Sequence, residues 1–183
     1  QAAPGGRQIE SAVIYDHDPA TKLGDDVFGN VICDFEKDAP GRCSHGGPVC
    51  MEYPNGSIVA FHTNASDHNL DGWSEYAVSP DGGRTWEKYH KFGYSHEAYQ
   101  KDPGRPAWVE EGLVTKSGTV VLFVTHFEEG RRVRSVFMQS RDNGARWTAA
   151  EPVDREFVGY PTSVAVSGDT NYVLFDSIAG PHV

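Results

Sequence analysis

Ser79-Pro80-Asp81-Gly82-Gly83-Arg84-Thr85-Trp86 reads as a tight, self-bonded turn that ends on a large aromatic side chain. The short Asp side chain accepts backbone donors ahead of it, the glycines supply permissive backbone angles, and the Trp is sized to wedge between packed sheets. Ser140-Arg141-Asp142-Asn143-Gly144-Ala145-Arg146-Trp147 repeats the pattern 61 residues later, with Arg146 where the first copy has Thr85. A repeat of that period sets the architecture and is therefore read first.

Working outward, each turn follows a strand-like run, Ser74 to Ser79 and Arg134 to Ser140. Upstream of each lies a hairpin: Val49 to Tyr53 with Ile58 to Phe61, and Ala107 to Val114 with Val120 to Val124. A third pair, Ser163 to Val166 with Tyr172 to Phe175, follows later. The connecting segments Pro54-Asn55-Gly56-Ser57, Lys116-Ser117-Gly118-Thr119 and Ser167-Gly168-Asp169 have hairpin-turn chemistry. Gly-x-Pro precedes or opens each hairpin, at Pro48, Pro106 and Pro161, 58 and 55 residues apart. A weaker fourth run follows the first Trp, Glu87 to Phe92, and no convincing helix separates the units. Four-stranded antiparallel meanders in tandem are the blades of a β-propeller. The alternative is a β-sandwich with coincidental similarities.

The turn resembles the Asp box, or bacterial-neuraminidase repeat, of the sialidase-like propellers: Ser79, Asp81, Gly83, Thr85 and Trp86 match throughout, and Ser140, Asp142, Gly144 and Trp147 match in the second copy. The resemblance implies an all-β, sialidase-like β-propeller, of which this chain holds about three blades out of six. Residues 1–44 form an N-terminal segment with leading strand or strands, 45–100 a blade with box 79–86, and 101–155 a blade with box 140–147. Residues 156–183 are the first half of a further blade, so the chain is expected to be part of a larger protein. The box residues are assigned to structure, because fold alone does not specify activity.

Composition narrows the function. Against 26 Asp and Glu stand 16 Lys and Arg, a net charge of −10 that argues against a nucleic-acid partner or an anionic membrane. No apolar run is long enough to span a bilayer. Cys33, Cys43 and Cys50 lack a Cys-x-x-Cys pair, which argues against thiolate zinc; one disulfide with a free thiol, or three buried thiols, remain open. The chain begins at Gln1 rather than Met, consistent with a cleaved secretory signal or a partial sequence, and a secreted, periplasmic or extracellular location is expected.

In such a meander the start of the first strand and the end of the second lie at one end, while the boxes fall at the other. That brings His45, Arg105 and Tyr160 toward one mouth, together with His62 to His68, His126 and Asp176. His45 and His62 are candidate proton carriers with Tyr160 assisting, and Arg105 is a fork of donors for a sugar carboxylate or sulfate. His68, Asp71, His126 and Asp176 are candidate substrate contacts. The resemblance implies a general-acid Asp in the loop after the second strand, for which Asp67 is the nearest match and Asp71 the second. Asp67, Asn69 and Asp71 also begin a calcium-loop pattern, but position twelve is Val78 and Glu75 only partly substitutes; no cofactor is expected beyond that weak calcium candidate.

Gly46-Gly47-Pro48 stands where sialidases carry Arg-Ile-Pro, whose Arg clamps the sialic acid carboxylate, and Arg42 lies too far upstream to replace it simply. The resemblance therefore implies glycosidic cleavage on a glycan or polysaccharide without sialidase specificity. Two alternatives are a non-catalytic glycan- or protein-binding propeller and a polysaccharide lyase using His, Tyr and Arg. Glu110-Glu111, Glu128-Glu129 and the cluster Arg131, Arg132 and Arg134 read as surface charges and a solvated hairpin tip.

Overall fold

In the computed structural model of the chain, residues 43–66, 72–153 and 159–177 are described. The first sheet is an antiparallel meander of β1 (Cys43–Glu52), β2 (Ile58–Ser66), β3 (Trp73–Ser79) and β4 (Glu87–Lys91), each strand beside the next in chain order. After α1 (Gly93–Lys101) the second sheet repeats the plan with β5 (Ala107–Val114), β6 (Val120–Glu128), β7 (Arg131–Ser140) and β8 (Glu151–Pro152). A hairpin of β9 (Gly159–Ser167) and β10 (Thr170–Ser177) follows. The first strands β1, β5 and β9 pack side by side, so the sheets fan out from a shared inner edge as propeller blades do. The fold is all-β, as expected.

Burial explains the strand patterns. One face of the first sheet (Val49, Met51, Tyr53, Val59 and Phe61) packs on Val109, Leu122, Val124, Val136 and Met138 of the second. The opposite face of the second sheet (Leu113, Val121 and Phe123) packs on Val164, Val173 and Phe175 of the hairpin. Strand β6 is thus covered on both sides, which is why Val120-Val121-Leu122-Phe123-Val124 is a continuous apolar run rather than an alternating one. Burying a side chain such as Phe61 contributes about 1.5–3 kcal/mol. Gly112 marks the closest approach: a Cβ there would lie 2.2 Å from the Met51 methyl group and 3.0 Å from Leu122.

Three expectations need correction. A helix does join the first two sheets, although its sequence has no apolar stripe to announce it. Tertiary bonds hold it: Ser95 Oγ accepts from Ser74 N at 2.8 Å and donates to Ala107 O, with Ser95 fully buried. The Gly-x-Pro triplets do not share one structural level. Pro48 lies inside β1 where the register slips between Gly46 and Val49, Pro106 precedes β5, and Pro161 sits opposite Phe175 beside another slip. Proline lacks the ladder donor and is tolerated at bulges, as at Pro48 and Pro161, or just ahead of a strand, as at Pro106, so its place follows where no donor is needed and not the repeat. Cys50 is an exposed free thiol, against the possibility of three buried ones.

Both Asp turns are held from within. Asp81 accepts from Thr85 N at 2.8 Å, Thr85 Oγ1 at 2.7 Å, Ser79 Oγ at 2.9 Å and Arg84 N at 3.1 Å. Asp142 accepts from Arg146 N at 2.9 Å and Ser140 Oγ at 2.8 Å, with Ala145 N bonding back to its carbonyl. The Thr85 donors do most to hold the Asp81 carboxyl down to about 2; the Arg146 amide does most for Asp142, also lowered. Arg146 in place of Thr removes the side-chain hydroxyl donor that Thr85 supplies.

Candidate functional site

Strand direction separates the two ends of the molecule. The hairpin turns and both Asp turns lie at one end. At the other lie the starts of β1, β5 and β9, the ends of β2, β6 and β10, and α1. At that mouth His45 pairs in register with Asn64, Ala107 with His126, and Tyr160 with Asp176. The backbone therefore puts His45, His126, Tyr160 and Asp176 at the same end of their hairpins. Asp67, His68, Asn69 and Asp71 lie outside the described residues.

The first station is on the first sheet. His62 and Glu75 are direct cross-strand partners, with His62 Nε2 3.3 Å from Glu75 Oε2 and side chains 13% and 3% exposed. Trp73 Nε1 donates to the other carboxylate oxygen, Oε1, at 2.9 Å. The indole is itself buried, edge-on to His96 and Tyr99 of α1 at 4.9 and 5.0 Å, with the Lys91 ammonium 5.0 Å from its ring centre. Withdrawing a carboxylate from water costs several kcal/mol, which a charged or polar partner must offset. The second sheet shows that the scaffold does not require this. Its Val124–Val136 pair occupies the register position of His62–Glu75, and both valines are buried. The adjoining level is shared, since Thr63–Ser74 and Thr125–Ser135 are both buried hydroxyl pairs.

The second station lies between the sheets. Tyr94 at the start of α1 bonds through its hydroxyl to His126 Nε2 at 2.8 Å, its ring edge-on at 5.7 Å. Arg134 is the direct cross-strand partner of His126 and is exposed. Desolvation, followed by the Arg134 charge, lowers His126 to about 4, so its ring is neutral at physiological pH. Burial raises the Tyr94 hydroxyl, with Arg134 acting in the opposite direction.

The remaining cations near the mouth are largely committed. Arg105 reaches Glu128 Oε1 and lies 3.5 Å from Asp102 Oδ2, so two carboxylates already neutralise the fork expected to hold a sugar acid. Arg132 grips Glu110 Oε1 through Nε and Nη2 at 3.2 and 2.9 Å and lies over the Phe127 ring. Glu110 and Arg132 are thus not the solvated charges expected; the register slip between Val109 and Glu111 leaves Glu110 as the extra residue of a bulge. Phe127 also packs on Trp108, whose Nε1 donates to Gly72 O at 3.4 Å. Among the described residues no cluster of His, Cys, Asp and Glu is arranged to hold a metal ion. The His62–Glu75 pair had a legible signal, since laying one repeat over the other sets His62 and Glu75 against two valines. Tyr94 had none, because it arrives on a helix without sequence markers.

The fold and mouth together define a propeller-type, all-β architecture. No known family model matches the chain, and no curated protein matches it. Among solved structures it is similar to the Hadza microbial sialidase Hz136, at 18% identity and a TM-score of 0.47, over 80% of this chain and 34% of that one. It is also similar to a protein from Parabacteroides distasonis described as a putative glycoside hydrolase, at 17% identity and a TM-score of 0.48, over 72% and 42%. The chain thus spans well under half the length of either, and at these TM-scores the functional reading rests on the chain's own residues. No helix among the described residues is long and apolar enough to cross a membrane.

Proposed function

We propose that the protein is a sialidase-like glycoside hydrolase that acts at this mouth on glycans or polysaccharides, without sialidase specificity. The observation that carries it is the His62–Glu75 pair, held out of water where the sister sheet has Val124–Val136. A carboxyl group of the loop that contains Asp67 donates its proton to the leaving glycosidic oxygen as the C–O bond breaks. His62, oriented by Glu75, accepts a proton from the water that adds to the sugar carbon, and His45 shares this duty. Glu75 holds the ring and stabilises the imidazolium that forms. Lacking an Arg in Gly46-Gly47-Pro48, the first strand supplies no carboxylate clamp of the sialidase kind. The acidic charge suits neither a nucleic-acid partner nor an anionic membrane.

A second activity is favoured by one arrangement, the neutral His126 bonded to Tyr94 beside Arg134. On a uronate chain, that pair removes the proton next to the carboxylate while the neighbouring C–O bond breaks, leaving a ring double bond and a protonated leaving oxygen. A panel of polysaccharides assayed for new reducing ends and for the ultraviolet absorbance of unsaturated uronates separates the outcomes. Hydrolysis predicts reducing ends without absorbance, lost in Glu75→Gln, His62→Ala and Asp67→Ala. Elimination predicts both signals, lost in His126→Ala and Tyr94→Phe. Binding without either signal marks a non-catalytic propeller.

A further inference from the structure

We propose that Arg134, with His126 and Tyr94 beside it, forms a subsite for the acidic group, carboxylate or sulfate, of a glycan seated at the mouth. This names the substrate class and rests on the mouth taking a glycan. Besides Arg131 at the hairpin tip, three arginines approach this end of the second sheet, Arg105 on the segment before β5 and Arg132 and Arg134 on β7, and their carboxylate partners sort them. Arg105 is held between Asp102 and Glu128, and Arg132 is held by Glu110. Arg134 is exposed, and no carboxylate among the described residues lies within ion-pair distance of it. It stands directly across the ladder from His126, whose Nε2 is fixed by the Tyr94 hydroxyl at 2.8 Å. A guanidinium offers a planar fork of donors that matches a carboxylate in bidentate fashion, and here the neutral imidazole and phenol beside it do not compete for the anion as a carboxylate would. On a chain of net charge −10, a cation left unneutralised beside two polar rings is where an anionic ligand gains most. Arg131, also exposed, lies three positions earlier on β7 at the hairpin tip and provides a charge-matched control.

The test measures binding by calorimetry on Glu75→Gln and on double variants built from it, with trigalacturonate as the acidic probe and maltotriose as the neutral one, in titrations from which both probes are recovered uncleaved. Trigalacturonate should bind more tightly than maltotriose. Adding Arg134→Met should weaken trigalacturonate on the order of thirtyfold, leave maltotriose unchanged and flatten the dependence on salt. Arg134→Lys should recover part of the loss as a point charge, and Arg131→Met should leave both probes as they were. The proposal is overturned if the two trisaccharides bind alike, if Arg134→Met changes nothing, or if Arg131→Met or Arg105→Met weakens trigalacturonate as much. Failure to find any cleavage leaves these affinities standing, so the subsite and the activity fail separately.

Discussion

The two complete sheets are built to one register and filled differently. In each, a buried threonine–serine pair sits just below the mouth. One step further in, the second sheet has valine against valine and the first has histidine against glutamate. One step further out, Asn64 and Trp73 of the first sheet correspond to His126 and Arg134 of the second. The shared levels are what the sheet-on-sheet packing demands, whereas the divergent ones cluster at the mouth. Differences between repeats in one chain therefore mark, without any second sequence, the positions whose filling the shared packing does not dictate.

The largest effect is expected from forcing the first sheet's chemistry onto the second. Val136→Glu places a carboxylate opposite Val124 with no cation or donor, and should lower the unfolding free energy by about 3 kcal/mol or more in urea titrations. Next comes Gly112→Val, which meets Met51 and Leu122 at the sheet interface and should cost about 1–3 kcal/mol by overpacking; its cross-sheet counterpart Cys50 is exposed and should accept valine at little cost. Tyr94→Phe removes the partner of His126 and should cost about 1 kcal/mol.

His126 is depressed in the folded state, so it stabilises the fold fully above about pH 6.5, and that contribution is lost as pH falls toward 4. Nuclear magnetic resonance titration should place its midpoint near 4 in the wild type and higher in Arg134→Met. The smallest contrast is between the two Asp turns. Asp81→Ala should lower Tm more than Asp142→Ala, because Asp81 also accepts the Thr85 hydroxyl. Its contribution is present above about pH 4 and fades toward 2, as the depressed carboxyl requires.

Much of the fold was legible because it rests on short-range signals. Hairpin turns, alternating strands and the Ser79–Trp86 pattern each mark their place in the sequence. The strands run further toward the mouth than the apolar runs suggest, to Ser66 and Glu128, because ladder bonds continue through polar residues such as His62 and Thr125. α1 was illegible because Ser95, Ser74 and Ala107 stabilise it from a distance in sequence. The position of the candidate residues was legible by end but not by partner. His62 and His126 were expected at the mouth, while Glu75, Tyr94 and the sorting of three arginines depend on cross-strand neighbours that spacing does not reveal.

On the proposed function, His62 and Glu75 serve the reaction and add little to stability. The most direct test converts the first sheet to the second sheet's filling in His62→Val with Glu75→Val, adding Trp73→Phe to avoid an orphaned indole donor, and measures urea unfolding and polysaccharide cleavage together. The triple variant should keep an unfolding free energy within about 2 kcal/mol of wild type and show no cleavage. Cleavage at the wild-type rate, or a collapse of stability, would contradict that role.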